Sequence, residues 1–366
     1  MLNARIMDKP EDFKKLGVNP DKVELWEEGR RATSEAGHNE VWYFDAQMED
    51  GAKAVFAFRP KLPEKTPEVG DSPNVMISLT PPDGRELSEV YSFTVEESTT
   101  GQGDGCDLRY GKCTVKGDFK QYDIHIEPIK GLGANLHYEA LVEPFRQGTA
   151  VVAFGDNDEL FHTDLSVPKN LVTGTLFYDG KEHQVKGVGY HDHQWMNSSP
   201  MLLYHHWFWG RMYTDKFTLY IYDFVTNEKY GFKRIPMFGL MDAGSGELVF
   251  KTDGQFTLST KLEPQSKMGR EFPKVSNYVF KNTNGKQVDF NVTWQDELET
   301  RDMVTNVPEA VKKQYEAANI APMYMRYYAK GDITFTDPTN NLKVTSSGEM
   351  IYEYAYFGHP DERAHV

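Results

Sequence analysis

The chain has 366 residues, with 55 acidic against 40 basic side chains and a formal net charge of −15. That balance, without a long Lys/Arg run, argues against a nucleic-acid partner, because neutralising phosphate needs basic surface. Mean hydropathy is −0.60 and no apolar stretch reaches the roughly 18 residues of a membrane span, while 39% hydrophobic and 26% charged residues allow a packed core.

The opening residues, Met1 to Pro20, lack the apolar segment of a secretory signal, so a cytoplasmic location is expected. A short helix is expected near Pro10–Leu16. Apolar and polar residues then alternate, which predicts strands at Trp42–Gln47, Val55–Phe58, Val75–Leu79, Gln121–Ile126, Phe217–Phe224 and Met350–Tyr356. Glu49-Asp50-Gly51, Pro82-Asp83-Gly84, Tyr178-Asp179-Gly180 and Asn284-Gly285 mark tight turns. The Pro-rich stretch 60–73 reads as a loop. Cys106 and Cys113 flank a Gly-containing turn and could pair, but without a secretory signal reduced thiols are expected, and the sequons at Asn197 and Asn291 are then chance matches. A second helix is expected over Val307–Ile320, with Pro308 in its first turn. With 22 Phe, 20 Tyr and 30 Gly, these elements predict a mostly β protein of antiparallel hairpins. The expected form is two packed sandwiches or barrels, with a boundary near 190–205.

The segment 187–224 concentrates the chemistry. It holds His191, His193, His205 and His206, together with Trp195, Trp207 and Trp209. Residues two apart on a strand share a face. His191, His193 and Trp195 therefore share one face, and Tyr190, Asp192 and Gln194 the other. His205, Trp207 and Trp209 are expected together on the next strand. Thr218, Tyr220, Tyr222 and Phe224 follow on the one after, so that three adjacent strands would line one dry aromatic cavity with Trp42. Each such residue taken singly is as readily core; the cluster, with Asp192 inside it, points to a pocket.

Other chemistries leave weaker marks. His-x-His on a strand can chelate zinc, yet there is no His-Glu-x-x-His and no Cys-rich spacing, so no metal is expected. No Gly-x-Ser-x-Gly elbow, dinucleotide loop or Walker A sequence occurs, and Gly101–Gly105 lacks a following helix to hold phosphate.

Three runs of residues carry a family resemblance. They are Val167-Pro168-Lys169-Asn170-Leu171-Val172-Thr173-Gly174-Thr175-Leu176, then Tyr178-Asp179-Gly180, then Gly187-Val188-Gly189-Tyr190-His191-Asp192-His193-Gln194-Trp195. With His206-Trp207-Phe208-Trp209-Gly210-Arg211 and the early Asn39-Glu40-Val41-Trp42-Tyr43-Phe44, the chain resembles the AttH-like and carotenoid 1,2-hydratase superfamily. That resemblance implies two lipocalin-like β domains, 1–200 and 201–366, and a hydrophobic small-molecule substrate handled without an organic cofactor. Carotenoid hydratases, kievitone hydratase and decalin-forming Diels–Alderases belong to the group. His193 and Trp195 match the hydratases' His-x-Trp. Their Tyr-x-Asp is matched by Tyr220-Ile221-Tyr222, with Tyr222 at the acid's position and Asp223 next to it, expected on the opposite face. Met196 stands where a Gly is usual.

The function expected on these grounds is a cofactor-free lyase or isomerase acting at C=C bonds of an isoprenoid, polyketide or phenolic. It would hydrate, dehydrate or close a ring, with His193, Asp192, His191, Tyr220 and Tyr222 as the acid–base set. Trp42, Tyr190, Trp195, His205, His206, Trp207 and Trp209 would bind the substrate. Asp192 could equally just fix an imidazole tautomer. A cyclase working by templating alone and a non-catalytic lipocalin-like carrier are the alternatives.

Overall fold

The computed structural model describes residues 2–101, 103, 105–156, 158–253, 255–265, 269–305 and 309–365. The chain is mostly β and folds as two compact units, one of residues 6–153 with 159–198, the other of residues 199–366 with 1–5 and 154–158.

In the N-terminal unit a curled sheet runs Leu87–Ser92, Asn74–Thr80, Lys53–Arg59, Asn39–Met48, Lys181–Met196, Glu159–Tyr178, Gly133–Ala140, Gln121–Ile126, Cys113–Gly117, Cys106–Tyr110, Ser98–Thr100. The last long hairpin positions the histidine motif. Asp179 and Gly180 form its two-residue loop, both with positive φ (52° and 71°), the geometry that matches the strands' right-handed twist. Pairing runs from Tyr178↔Lys181 up to Val167↔His191, Leu165↔His193 and His162↔Trp195, with two bulges on the way. On its other edge the motif strand pairs without interruption from Gly187↔Met48 to Met196↔Asn39. Trp42, Phe44, Ala46 and Met48 face a core shared with Phe56, Ile77, Leu108, Ile124 and Leu136.

In the C-terminal unit the strands among the described residues run Leu248–Lys251, Arg234–Asp242, Phe217–Thr226, Tyr204–Tyr213, Leu342–Tyr356, Met323–Asp337, Gln287–Asp302, Arg270–Lys281, Gln255–Gln265. Its core gathers Phe208, Met212, Leu219, Ile221, Phe238, Phe280, Phe290, Tyr352 and Tyr354.

All six predicted strands lie within observed ones, and the N-terminal helix is Pro10–Leu16, closed by Gly17 at φ 68°. The later helix is shorter than expected, Glu309–Ala317; Val307 and Pro308 lie outside the described residues. Cys106 and Cys113 are buried free thiols, opposite Gly117 and Tyr110 rather than each other. One expectation fails on topology. Lys181–Met196 pairs with Asn39–Met48 and Glu159–Tyr178, not with Tyr204–Tyr213, because Asn197–Ser199 and the turn of helix Pro200–Leu203 interrupt the run and Tyr204 opens a second sheet. The three strands are thus not neighbours in one wall.

Candidate functional site

In the N-terminal unit alternation places His191, His193 and Trp195 on one face, as expected. His191 stacks on Phe44 (ring centroids 4.1 Å apart) and His193 on Trp42 (4.4 Å). Both imidazoles are fully buried, as are Glu28 and Glu40. The Tyr43 carbonyl can only accept, so His191 donates from Nδ1 to it (2.8 Å). His191 Nε2 and Glu28 Oε1 then share a proton at 2.6 Å. His193 Nε2 lies 2.8 Å from Glu40 Oε1. Glu40 also accepts the amide N–H groups of Arg31 (2.7 Å) and Ala32 (3.1 Å). Glu28 takes the Tyr122 hydroxyl (3.3 Å), and its backbone carbonyl accepts the Trp42 indole N–H (3.0 Å). His193 Nδ1 is 3.7 Å from Glu28 Oε2, which ties the two pairs into one network.

Asp192 lies at the alternate position of the strand, on the opposite face, in register with Tyr43 and Ser166; the carboxylates that meet the two rings are Glu28 and Glu40. Tyr190, on that same outer face, meets Tyr43 edge-on at 6.3 Å. Trp195 stacks on His162 (5.3 Å), whose own ring is 6.2 Å from His193. Burial pushes His162 well below the usual histidine range, so it is neutral at physiological pH.

In the C-terminal unit the register Trp207↔Phe224 and Trp209↔Tyr222 brings the predicted aromatics onto one face. Tyr222 lies 5.8 Å from Trp207, 6.5 Å from Trp209 and 6.5 Å from Tyr220. Trp209 pairs across the sheet with Glu353, and the Trp207 indole N–H donates to Glu353 Oε1 at 2.6 Å. Burial pushes the Glu353 carboxyl above its ordinary value, against hydrogen bonds from Trp207 and Tyr324 that favour the charged form.

His205 leaves this face. A bulge between Tyr204 and His206 turns it to the side of His206, with the two Nδ1 atoms 2.7 Å apart. His205 Nε2 donates to the His359 carbonyl (2.8 Å), so its Nδ1 accepts from His206. His206 stacks on His365 (5.0 Å) and lines a cavity of about 50 Å³ inside this unit. Asp223, Arg234, Tyr278, Tyr354 and His365 also line it; Trp207, Tyr220 and Tyr222 do not. Asp223 is indeed on the face opposite Tyr222, and there it is buried, ion-paired to Arg234 (2.5 Å) and bonded to the Tyr278 hydroxyl (2.8 Å).

Glu28, Glu40 and Glu353 were not among the site residues expected from the sequence. Glu40 carried a usable signal, an acid two residues before Trp42 on an apolar face. Glu28 and Glu353 had none, since their partners lie 163 and 146 residues away.

A family model describing the Svf1 family matches residues 83–357. The chain belongs to the Svf1 family. No curated protein matches this Svf1-family sequence. Among solved structures, that of CghA with Sch210972 superposes with a TM-score of 0.58 at 12% identity, covering 87% of this chain and 88% of that one. An AttH-like protein from Nitrosomonas europaea gives 0.51 at 15% identity, covering 92% and 98%. Kievitone hydratase from Nectria haematococca gives 0.51 at 11% identity, covering 88% and 90%. The Svf1-family chain therefore shares the AttH-like, lipocalin-like fold that its motifs implied. At these identities the likeness concerns fold alone.

Proposed function

We propose that the chain binds and carries a hydrophobic small molecule, without an organic cofactor, and that His191 and His193 belong to the frame. The observation that carries this reading is their enclosure: both rings have no exposed surface, and each is committed to a buried carboxylate. A proton-transfer residue has to reach the reacting atom. These two reach Glu28 and Glu40 instead. A solved relative by fold holding a small molecule, CghA with Sch210972, supports the reading. The test is tryptophan-fluorescence titration against isoprenoid, polyketide and phenolic panels, with mass spectrometry and chromatography of the same mixtures. Saturable binding and unchanged ligand are expected. Gain or loss of water, or a new isomer, refutes a pure carrier.

A second reading, a lyase or isomerase at C=C bonds, is favoured by Glu353. A carboxyl pushed upward by burial, bonded to Trp207 and paired across the sheet with Trp209, has the makings of an acid for an alkene beside indole faces that stabilise a cation. Under this reading Glu353→Gln lowers turnover about 100-fold or more and leaves binding intact. Turnover unaffected by Glu353→Gln leaves templated ring closure as its surviving form.

A further inference from the structure

A small cavity of the C-terminal unit is lined by a residue with an unmatched acceptor. Asp223 is 1% exposed. Both of its donors, Arg234 and Tyr278, bond to Oδ2. Oδ1 is buried and has no hydrogen-bond partner among the described residues. A buried carboxylate oxygen is strongly driven to accept a hydrogen bond, and Asp223 is among the residues that line a cavity of about 50 Å³. That volume suits the end of a ligand rather than a whole one.

The surroundings narrow the chemistry. Arg234 already balances the Asp223 charge, so an ammonium here would be an uncompensated buried cation. Burial holds His206 well below the usual range and His365 down to about 4, so neither adds charge near neutral pH. A neutral donor fits. Leu258 and Leu262 also line the cavity, both half-buried on Gln255–Gln265, which is an edge strand, and they offer an apolar path outward.

We propose that Asp223 Oδ1 receives a hydroxyl group of the bound molecule, so that this unit selects amphipathic ligands with an alcohol at one end. The proposal rests on the binding reading above and names its ligand class.

The test uses the full chain and three probes: 1-octanol, 1-octylamine and methyl octyl ether, titrated by calorimetry and ligand-observed NMR. Octanol is expected to bind at least about tenfold more tightly than the ether, since a site built for a hydroxyl rejects the analogue that lacks one. It is also expected to exceed the amine. Asp223→Asn should remove the preference for alcohol over ether, because an amide N–H₂ in place of Oδ1 donates to either oxygen. Ser276→Val enlarges another side chain of the cavity lining, leaves both members of the Asp223–Arg234 pair in the sequence, and should erase the difference between alcohol and ether. It keeps the test open if Asp223→Asn fails to fold. Equal binding of ether and alcohol to the unaltered chain overturns the hydroxyl assignment and leaves the binding reading standing. Amine binding tightest overturns it in favour of a cation. No binding of any probe overturns the hydroxyl assignment, while the binding reading is decided by the isoprenoid, polyketide and phenolic panels.

Discussion

His193→Ala separates a structural histidine from a working one. The substitution removes the stack on Trp42, worth about 0.5–1.5 kcal/mol beyond simple burial. It also removes one of the two groups bonded to Glu40 Oε1, which keeps the Arg31 amide, so this loss sits at the lower end of the about 1–3 kcal/mol that an unmet buried acceptor costs. The space vacated by the ring adds a cavity term. Together these reach the roughly 3–5 kcal/mol typical of emptying a buried aromatic site. For a unit of this size, 1 kcal/mol moves the midpoint by about 2–4 °C, so Tm should fall by roughly 6–20 °C. Differential scanning calorimetry reads this directly. A cycle with Glu40→Gln should show that the two changes do not add, since they break the same contact. An unchanged Tm in His193→Ala, with ligand handling lost, refutes the framing role and returns the residue to the acid–base set.

Three further outcomes are expected. Trp42→Phe should lower stability by about 1–2 kcal/mol in denaturant melts, because the buried Glu28 carbonyl loses its indole donor. His365 is held down to about 4 in the folded chain, against an unfolded value near 6.5. The unfolded chain therefore binds the extra proton first, and stability should decline as pH falls from about 6.5 to about 4; NMR of the ring and calorimetry across that range check it, and His365→Gln should flatten the slope. Burial raises both thiols, Cys106 well up and Cys113 to about 11, so a disulfide-exchange reagent should label the native chain far more slowly than the unfolded one.

The fold was legible where one face of a strand is buried and the other is not. Trp42, Phe44 and Ala46 alternate with polar neighbours along an unbroken register, and so do His191, His193 and Trp195 opposite them. Gln287–Asp302 was not read as a strand, because its second half is largely polar on both faces and hides the period. The site was legible only in its aromatic half. Alternation brought Trp207, Trp209 and Tyr222 together, but it cannot foresee a bulge, which is why His205 was assigned to their face and lies on the other side. Nor does local pattern carry the partners. Glu28 closes on His191 and Glu353 on Trp207 through contacts that only the assembled sheets create.

The strand Lys181–Met196 is the last piece of its unit to be made, yet it belongs in the middle, between Asn39–Met48 and Glu159–Tyr178. During synthesis about 130 residues emerge after Met48 before that edge finds its partner, a wait of roughly 7–26 seconds at 5–20 residues per second. Throughout it Glu28 and Glu40 have no histidines to meet, and an apolar strand edge stands open to other chains. Holding the nascent segment soluble until Met196 has cleared the ribosome thus becomes a requirement on the cell, and slowing translation just ahead of the final hairpin would lengthen the exposure.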